Sequence, residues 1–182
     1  HLDSWDGAQG AADNGTGTVI MAEAMRLLRT AYPTPKRTLI VGHWGSEEQG
    51  LNGSRAYAAD HPEVVAGLQA AFNQDNGTGA ISRVGMQGLV EAGPHFVRWL
   101  GAVPRELSDR IDIDIPGTPG GGGSDYAAFT CYGAPSFGLW SDSWDYGRYL
   151  WHTNLDTLDK LSFETVRDNA ILIAMLAYEA SE

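Results

Sequence analysis

Cysteine is nearly absent: Cys131 is the one thiol in 182 residues. An internal disulfide is excluded, and cysteine usage leaves the redox compartment open. In the apolar run 127–131 this thiol is expected to pack as a small hydrophobe rather than act as a nucleophile or ligand. Basic residues are scarce as well. Twelve Lys and Arg stand against 23 Asp and Glu, a formal net charge of −11. No basic stripe exists to neutralise phosphates, which excludes nucleic acid as a partner. No apolar run reaches the roughly 18 residues of a spanning helix. Internal repeats are lacking, and low complexity is confined to the glycines at 120–123. Those glycines lack the lysine of a phosphate loop, so a flexible wall beside a substrate cleft is the better reading.

What is present describes one globular domain. Hydrophobic residues make up 43% and charged residues 19%, ordinary for a folded chain. Short apolar runs alternate with helical stretches, which predicts an α/β sandwich with a largely parallel sheet. Helices are expected over 16–30, 51–59, 95–107 and 162–179, with a short one opening at Ser124-Asp125-Tyr126 on polar capping groups. Strands are expected over 38–41, 68–72, 111–115 and 135–140. In such sheets ligands bind at the carboxyl ends of strands, and the polar motifs fall there.

The chemistry-bearing residues begin at His1-Leu2-Asp3. In an extended segment these two side chains share a side, so Asp3 can hold one ring nitrogen while the other takes a metal. Asp13 follows on a glycine-flanked turn. Five groups fit one two-metal site: His1, Asp13, Glu48, Asp75 and His152. A hydrolytic pair of ions about 3.5–4 Å apart needs a bridging carboxylate and terminal N or O ligands. Asp13 is the natural bridge, with His1 and Asp75 on one ion and Glu48 and His152 on the other. Imidazole and carboxylate without thiolate favour zinc or another borderline divalent metal over iron–sulfur chemistry. Of the adjacent Glu47 and Glu48, one ligates and the other can act as general base.

These segments resemble the co-catalytic di-zinc exopeptidases of clan MH, which include secreted bacterial aminopeptidases and plasma glutamate carboxypeptidases. The resemblance runs through H-L-D-S, G-A-A-D-N-G-T-G, G-S-E-E-Q-G-L-N-G-S, N-Q-D-N-G-T-G, G-S-D-Y-A-A-F and W-H-T-N-L-D-T-L-D. It implies a three-layer α/β sandwich with a mixed, largely parallel central sheet. It further implies that residues 1–182 form the C-terminal part of one zinc-peptidase catalytic domain, with N-terminal elements of the sheet missing. Such a sheet is expected to leave an edge and apolar faces uncovered, and the stability of the chain reduced.

By the same resemblance the activity is hydrolysis of terminal peptide bonds in peptides or dipeptides. Two zinc ions and a metal-bridging hydroxide serve it, with Glu47 as general base, Asp3 behind His1 and Asp13 as the bridge. Ser124, Asp125 and Tyr126 match the segment that lines the cleft. Where several relatives have a tyrosine before the last histidine, this chain has Trp151, whose indole N–H donates but carries no charge. Tyr126, Tyr149 or a metal ion alone are the alternatives for stabilising an oxyanion. Relatives are mostly secreted, which implies an extracellular or periplasmic enzyme.

Two further classes stay open. One is a non-catalytic, receptor-like binding domain of the same fold; the other is a glutaminyl-cyclase-type acyltransferase with one zinc. A copper site on a terminal histidine belongs to β-rich scaffolds, unlike this pattern. His43 is read as a structural residue beside a strand end, His61 as a surface turn and His95 as a helix packing or surface residue. The aromatic loop 140–146 suits either a specificity pocket or a surface loop. The Asn-Gly-Ser/Thr sequences at Asn14, Asn52 and Asn76 read as turn chemistry.

Overall fold

The computed structural model describes residues 1–119 and 123–182. Four strands form one sheet in the order β1-β4-β2-β3: β1 (Ala71–Gln74), β2 (Ile81–Gly85), β3 (Asp112–Asp114) and β4 (Ser136–Ser141). β1 runs parallel to β4 and β2 parallel to β3, while β2 and β4 are antiparallel. The sheet is mixed, with the parallel pairs outside. The glycines at 120–122 fall outside the described residues.

Among the described residues, seven α-helices flank the sheet: α1 (Thr16–Ala31), α2 (Asn52–Asp60), α3 (Pro62–Ala66), α4 (Ala92–Ala102), α5 (Arg105–Ser108), α6 (Tyr126–Thr130) and α7 (Phe163–Ser181). None is long and apolar enough to cross a membrane. α1, α4 and α7 bury one face of the sheet in the larger core, where Ile20, Ala24 and Leu28 of α1 meet Leu172, Ile173 and Leu176 of α7. Fully buried Phe96 of α4 sits at its centre, with ring centroids 4.9 Å from Phe137, 5.1 Å from Trp99 and 6.0 Å from Phe72. A smaller cluster joins Ala58, Val65, Ala128 and Phe129 of α2, α3 and α6. The result is a helix–sheet–helix sandwich.

Local chemistry accounts for most element ends. Ser162 caps α7 by accepting from the Thr165 N–H. Pro104 divides the helix expected over 95–107 into α4 and α5, because the residue before a proline is driven out of the helical region. α6 has no side-chain cap: the Ser124 hydroxyl instead accepts from Asn73 Nδ2 at 2.8 Å. With Ala127, Ala128 and Phe129 taking the inward positions of this short helix, Cys131 is left exposed rather than packed.

The sheet departs from the sequence reading in one strand not expected and one expected strand that does not form. β2 has no strand alternation because its register with β4 shifts between Ile81 and Arg83, so that Ile81 and Val84 both face the core. Residues 38–41 have strand composition but pair with no strand among the described residues. They lie across a cleft of about 700 Å³ from β1, and Ile40 is 56% exposed. Strand propensity alone cannot make a strand without a neighbour to receive its hydrogen bonds.

Candidate metal centre

The site gathers at the end of β1, where the segment at His1, the Asp13 turn, the loop carrying Glu47 and Glu48 and the loop carrying His152 meet. His1 is tied by its main chain: the Thr18 hydroxyl donates to its carbonyl at 2.9 Å, and the next residue, Leu2, donates its N–H to Trp44 O at 2.7 Å. Its Nδ1 lies 2.9 Å from the main-chain carbonyl of Asp3. Donation there fixes the ring and turns Nε2 inward. Nε2 then lies 3.1 Å from Asp75 Oδ1, 3.3 Å from Asp13 Oδ1 and 3.9 Å from Glu47 Oε2.

Asp3 therefore serves His1 through its carbonyl more closely than through its carboxylate, which is 3.7 Å away. That carboxylate instead accepts the N–H groups of Glu47 and Glu48, at 3.0 and 3.2 Å. The extended-segment reading of the H-x-D motif missed this because it considered side chains alone.

The second imidazole mirrors the first. His152 Nε2 lies 3.0 Å from Glu48 Oε2 and 3.5 Å from Asp13 Oδ2. Asp13 thus presents one oxygen to each imidazole. Three triads can each surround an ion: His1-Asp13-Asp75, His1-Glu47-Glu48 and Asp13-Glu48-His152. All five expected ligands and Glu47 are brought together.

The electrostatics describe a site short of positive charge. Burial works against a charged His1, but the Asp13 and Asp75 carboxylates outweigh it and hold the imidazole up to about 11. Burial, and then the Asp75 carboxylate, push Glu47 up to about 8. Glu48 is raised by burial and by Asp13, with the Trp5 indole partly offsetting this from 2.7 Å. Asp125, 1% exposed, is pushed up to about 6, by burial first, with the Ser54 hydroxyl in partial compensation. Asp13 Oδ2 and Glu48 Oε1 are buried without a hydrogen-bond partner among the described residues. Buried carboxylate oxygens of this kind call for a cation.

Other expected residues are placed differently. Ser124, Asp125 and Tyr126 are buried, and Tyr126 packs with Leu51, Ala127 and Trp140. Tyr126 also forms part of the wall of the cleft beside β1. Trp151 is 51% exposed and stacks on His152 with centroids 4.0 Å apart, while Tyr149 points outward under Arg148. His43 is exposed, His61 pairs with Glu63, and His95 packs on Trp99; none approaches the centre. In the aromatic loop, Trp144 is a surface residue that donates to Lys160 O, whereas Tyr146 turns inward. Asn14 is buried, with its side chain bonded to Gln74 O and to the Gly17 N–H, as turn chemistry requires.

Three residues of the centre were not read from the sequence. The Trp5 ring lies 5.0 Å from His152, and the Tyr146 hydroxyl is pushed up by burial and by the Asp75 and Asp13 carboxylates it faces. Asp156 accepts main-chain N–H groups of the Asp13 turn. Signals existed for Tyr146, inside the aromatic loop 140–146, and for Asp156, a carboxylate four residues beyond His152 inside the last motif.

Residues 1–177 match the profile of peptidase family M28. The chain is 29% identical to mouse carboxypeptidase Q over its full length, which covers 37% of that protein. It is 30% identical to leucine aminopeptidase 1 of Coccidioides posadasii, with 94% of this chain and 47% of the relative aligned. The crystal structure of a peptidase M28 precursor from Shewanella amazonensis superimposes with a TM-score of 0.85 at 28% identity, covering the whole of this chain and 40% of that one. The chain spans less than half the length of each of these relatives. By its sequence match and its fold, this chain belongs to peptidase family M28.

Proposed function

We propose that this chain carries the catalytic centre of a di-zinc exopeptidase acting on terminal peptide bonds of peptides or dipeptides. The observation that carries the reading is the double-faced carboxylate of Asp13, one oxygen turned to each imidazole Nε2. The donors fit zinc: two imidazoles, carboxylates and no thiolate. His1, Asp13 and Asp75 would hold one ion, and Asp13, Glu48 and His152 the other. When bound, two such ions polarise the scissile carbonyl and lower the pKa of an attacking water.

The chain's own groups do the rest. Glu47 sits beside both triads without being needed by either, at the reach of a general base. It takes the proton of the attacking water on a carboxylate oxygen and returns it to the leaving amine. Asp3 keeps Glu47 and Glu48 in their separate roles by gripping both main-chain N–H groups. Trp151, exposed at the rim with its ring against His152, is assigned to contact substrate. An extracellular or periplasmic setting belongs to the same proposal.

The test combines metal and substrate. Protein stripped by chelation and titrated with zinc is assayed on aminoacyl anilides and on dipeptides. Two zinc ions per chain and activity that returns with them are expected. One zinc per chain, or two with no hydrolysis of either substrate type, would overturn the proposal.

A further inference from the structure

Asp156 is 2% exposed and makes no contact with an imidazole, yet both its carboxylate oxygens are engaged. Oδ1 accepts the Ala12 N–H at 2.6 Å and Oδ2 the Asp13 N–H at 2.9 Å. These amides belong to the turn Ala11–Gly15, where Asp13 and Asn14 leave helical geometry just before α1. A buried turn of this kind leaves main-chain donors with no helical partner, and an ionised acceptor satisfies two at once. Asp156 is itself fixed through its main chain, since its carbonyl accepts from Gln9 and its N–H donates to Thr153 O.

The arrangement repeats at the other imidazole. Asp3, two residues after His1, holds the main-chain N–H groups of Glu47 and Glu48. Asp156, four residues after His152, does the same for Ala12 and Asp13. Each histidine segment thus brings a carboxylate that fixes the main chain of an acidic residue facing the imidazoles.

We infer that Asp156 is the positioning residue for the Asp13 carboxylate, setting where its two oxygens stand between His1 and His152. This rests on the two-metal reading and assigns a role within it. Replacing a carboxylate that orients a ligand lowers metal affinity or activity by about 10–100-fold. Asp156→Asn keeps the shape but leaves one oxygen for two donors, so one N–H faces an amide NH2.

The experiment compares wild type, Asp156→Asn and Asp159→Asn, the last altering an exposed carboxylate of the same segment. Zinc affinity is measured by chelator competition, ligand geometry by the absorption of cobalt-loaded protein, and main-chain protection by amide hydrogen exchange without metal. Asp156→Asn is expected to bind zinc about 10–100-fold more weakly and to shift the cobalt spectrum. Its kcat should fall more than its KM changes. The Ala12 and Asp13 amides should exchange slowly in wild type and quickly in Asp156→Asn, with the Ile81 amide equally protected in both. Asp159→Asn should match wild type throughout.

Wild-type zinc affinity and spectrum in Asp156→Asn would overturn the assignment, as would fast exchange at Ala12 and Asp13 in the wild type. If Asp156→Asn does not fold, the wild-type exchange result decides. Wild type that takes up no zinc would sink the two-metal reading instead, a separate outcome.

Discussion

Glu47→Gln is the most informative single change. It preserves shape and leaves the Glu47 main-chain N–H on Asp3, so no cavity opens and no clamp is lost. What disappears is the proton acceptor. A positioned general base contributes roughly 10²–10⁴ in rate, and at about 1.36 kcal/mol per decade the barrier should rise by about 2.7–5.4 kcal/mol. The loss should fall on kcat, with KM and zinc content near wild type, read by steady-state anilide hydrolysis and elemental analysis.

The same change has an opposite effect on the metal-free fold. Glu47 is raised from its ordinary value of 4.5 to about 8. Its folded form holds the proton more tightly than the unfolded chain, so its stabilising share is complete below about 4.5 and is lost as pH rises through about 8. Gln removes that dependence, and the variant should melt higher than wild type by a margin that widens across this window. A kcat within threefold of wild type at full zinc would refute the assigned role. A kcat loss that tracks zinc loss would make Glu47 a ligand instead.

Other consequences follow from the same coordinates. Metal-free protein should lose stability as pH rises from about 4 to 11: Asp125, raised to about 6, and His1, raised to about 11, both favour the protonated fold. Thermal melts across pH, repeated with saturating zinc, should show the decline only without metal. Phe96→Ala empties the centre of the larger core and should cost about 3–5 kcal/mol in urea unfolding. Asn169→Ala strips the partners from the Ile81 N–H, at 3.0 Å, and the Gly79 carbonyl, at 2.8 Å. At about 1–3 kcal/mol for each buried group left unpaired, its loss in the same assay should rival that of Phe96→Ala.

The centre was legible in the sequence where residue type and motif order carry the chemistry. His1, Asp13, Glu48, Asp75 and His152 stand out as donors whatever their dihedral angles. What stayed hidden was main-chain business. Asp3 and Asp156 act on N–H groups, and no side-chain pattern records which amides a folded turn leaves unsatisfied. The fold divides similarly. α1 and α7 advertise themselves by apolar spacing, although the spacing of α1 takes in Val19, which is exposed. β2 was invisible because a register shift erased its alternation, while 38–41 has the composition of a strand and lacks a neighbour. Composition is local, and pairing is not.

The crossing of the two histidine segments has a consequence in time. Asp3 reaches Glu47 across 44 positions, His1 meets Asp75 across 74, and Asp156 holds Asp13 across 143. Contacts so distant along a chain carry the largest closure entropy and slow its folding. No partial chain or half-folded intermediate can hold both imidazoles against Asp13. Whatever chemistry this centre performs therefore starts only when the last long-range contact closes, and a site made this way is silent while its own chain is still unfolded.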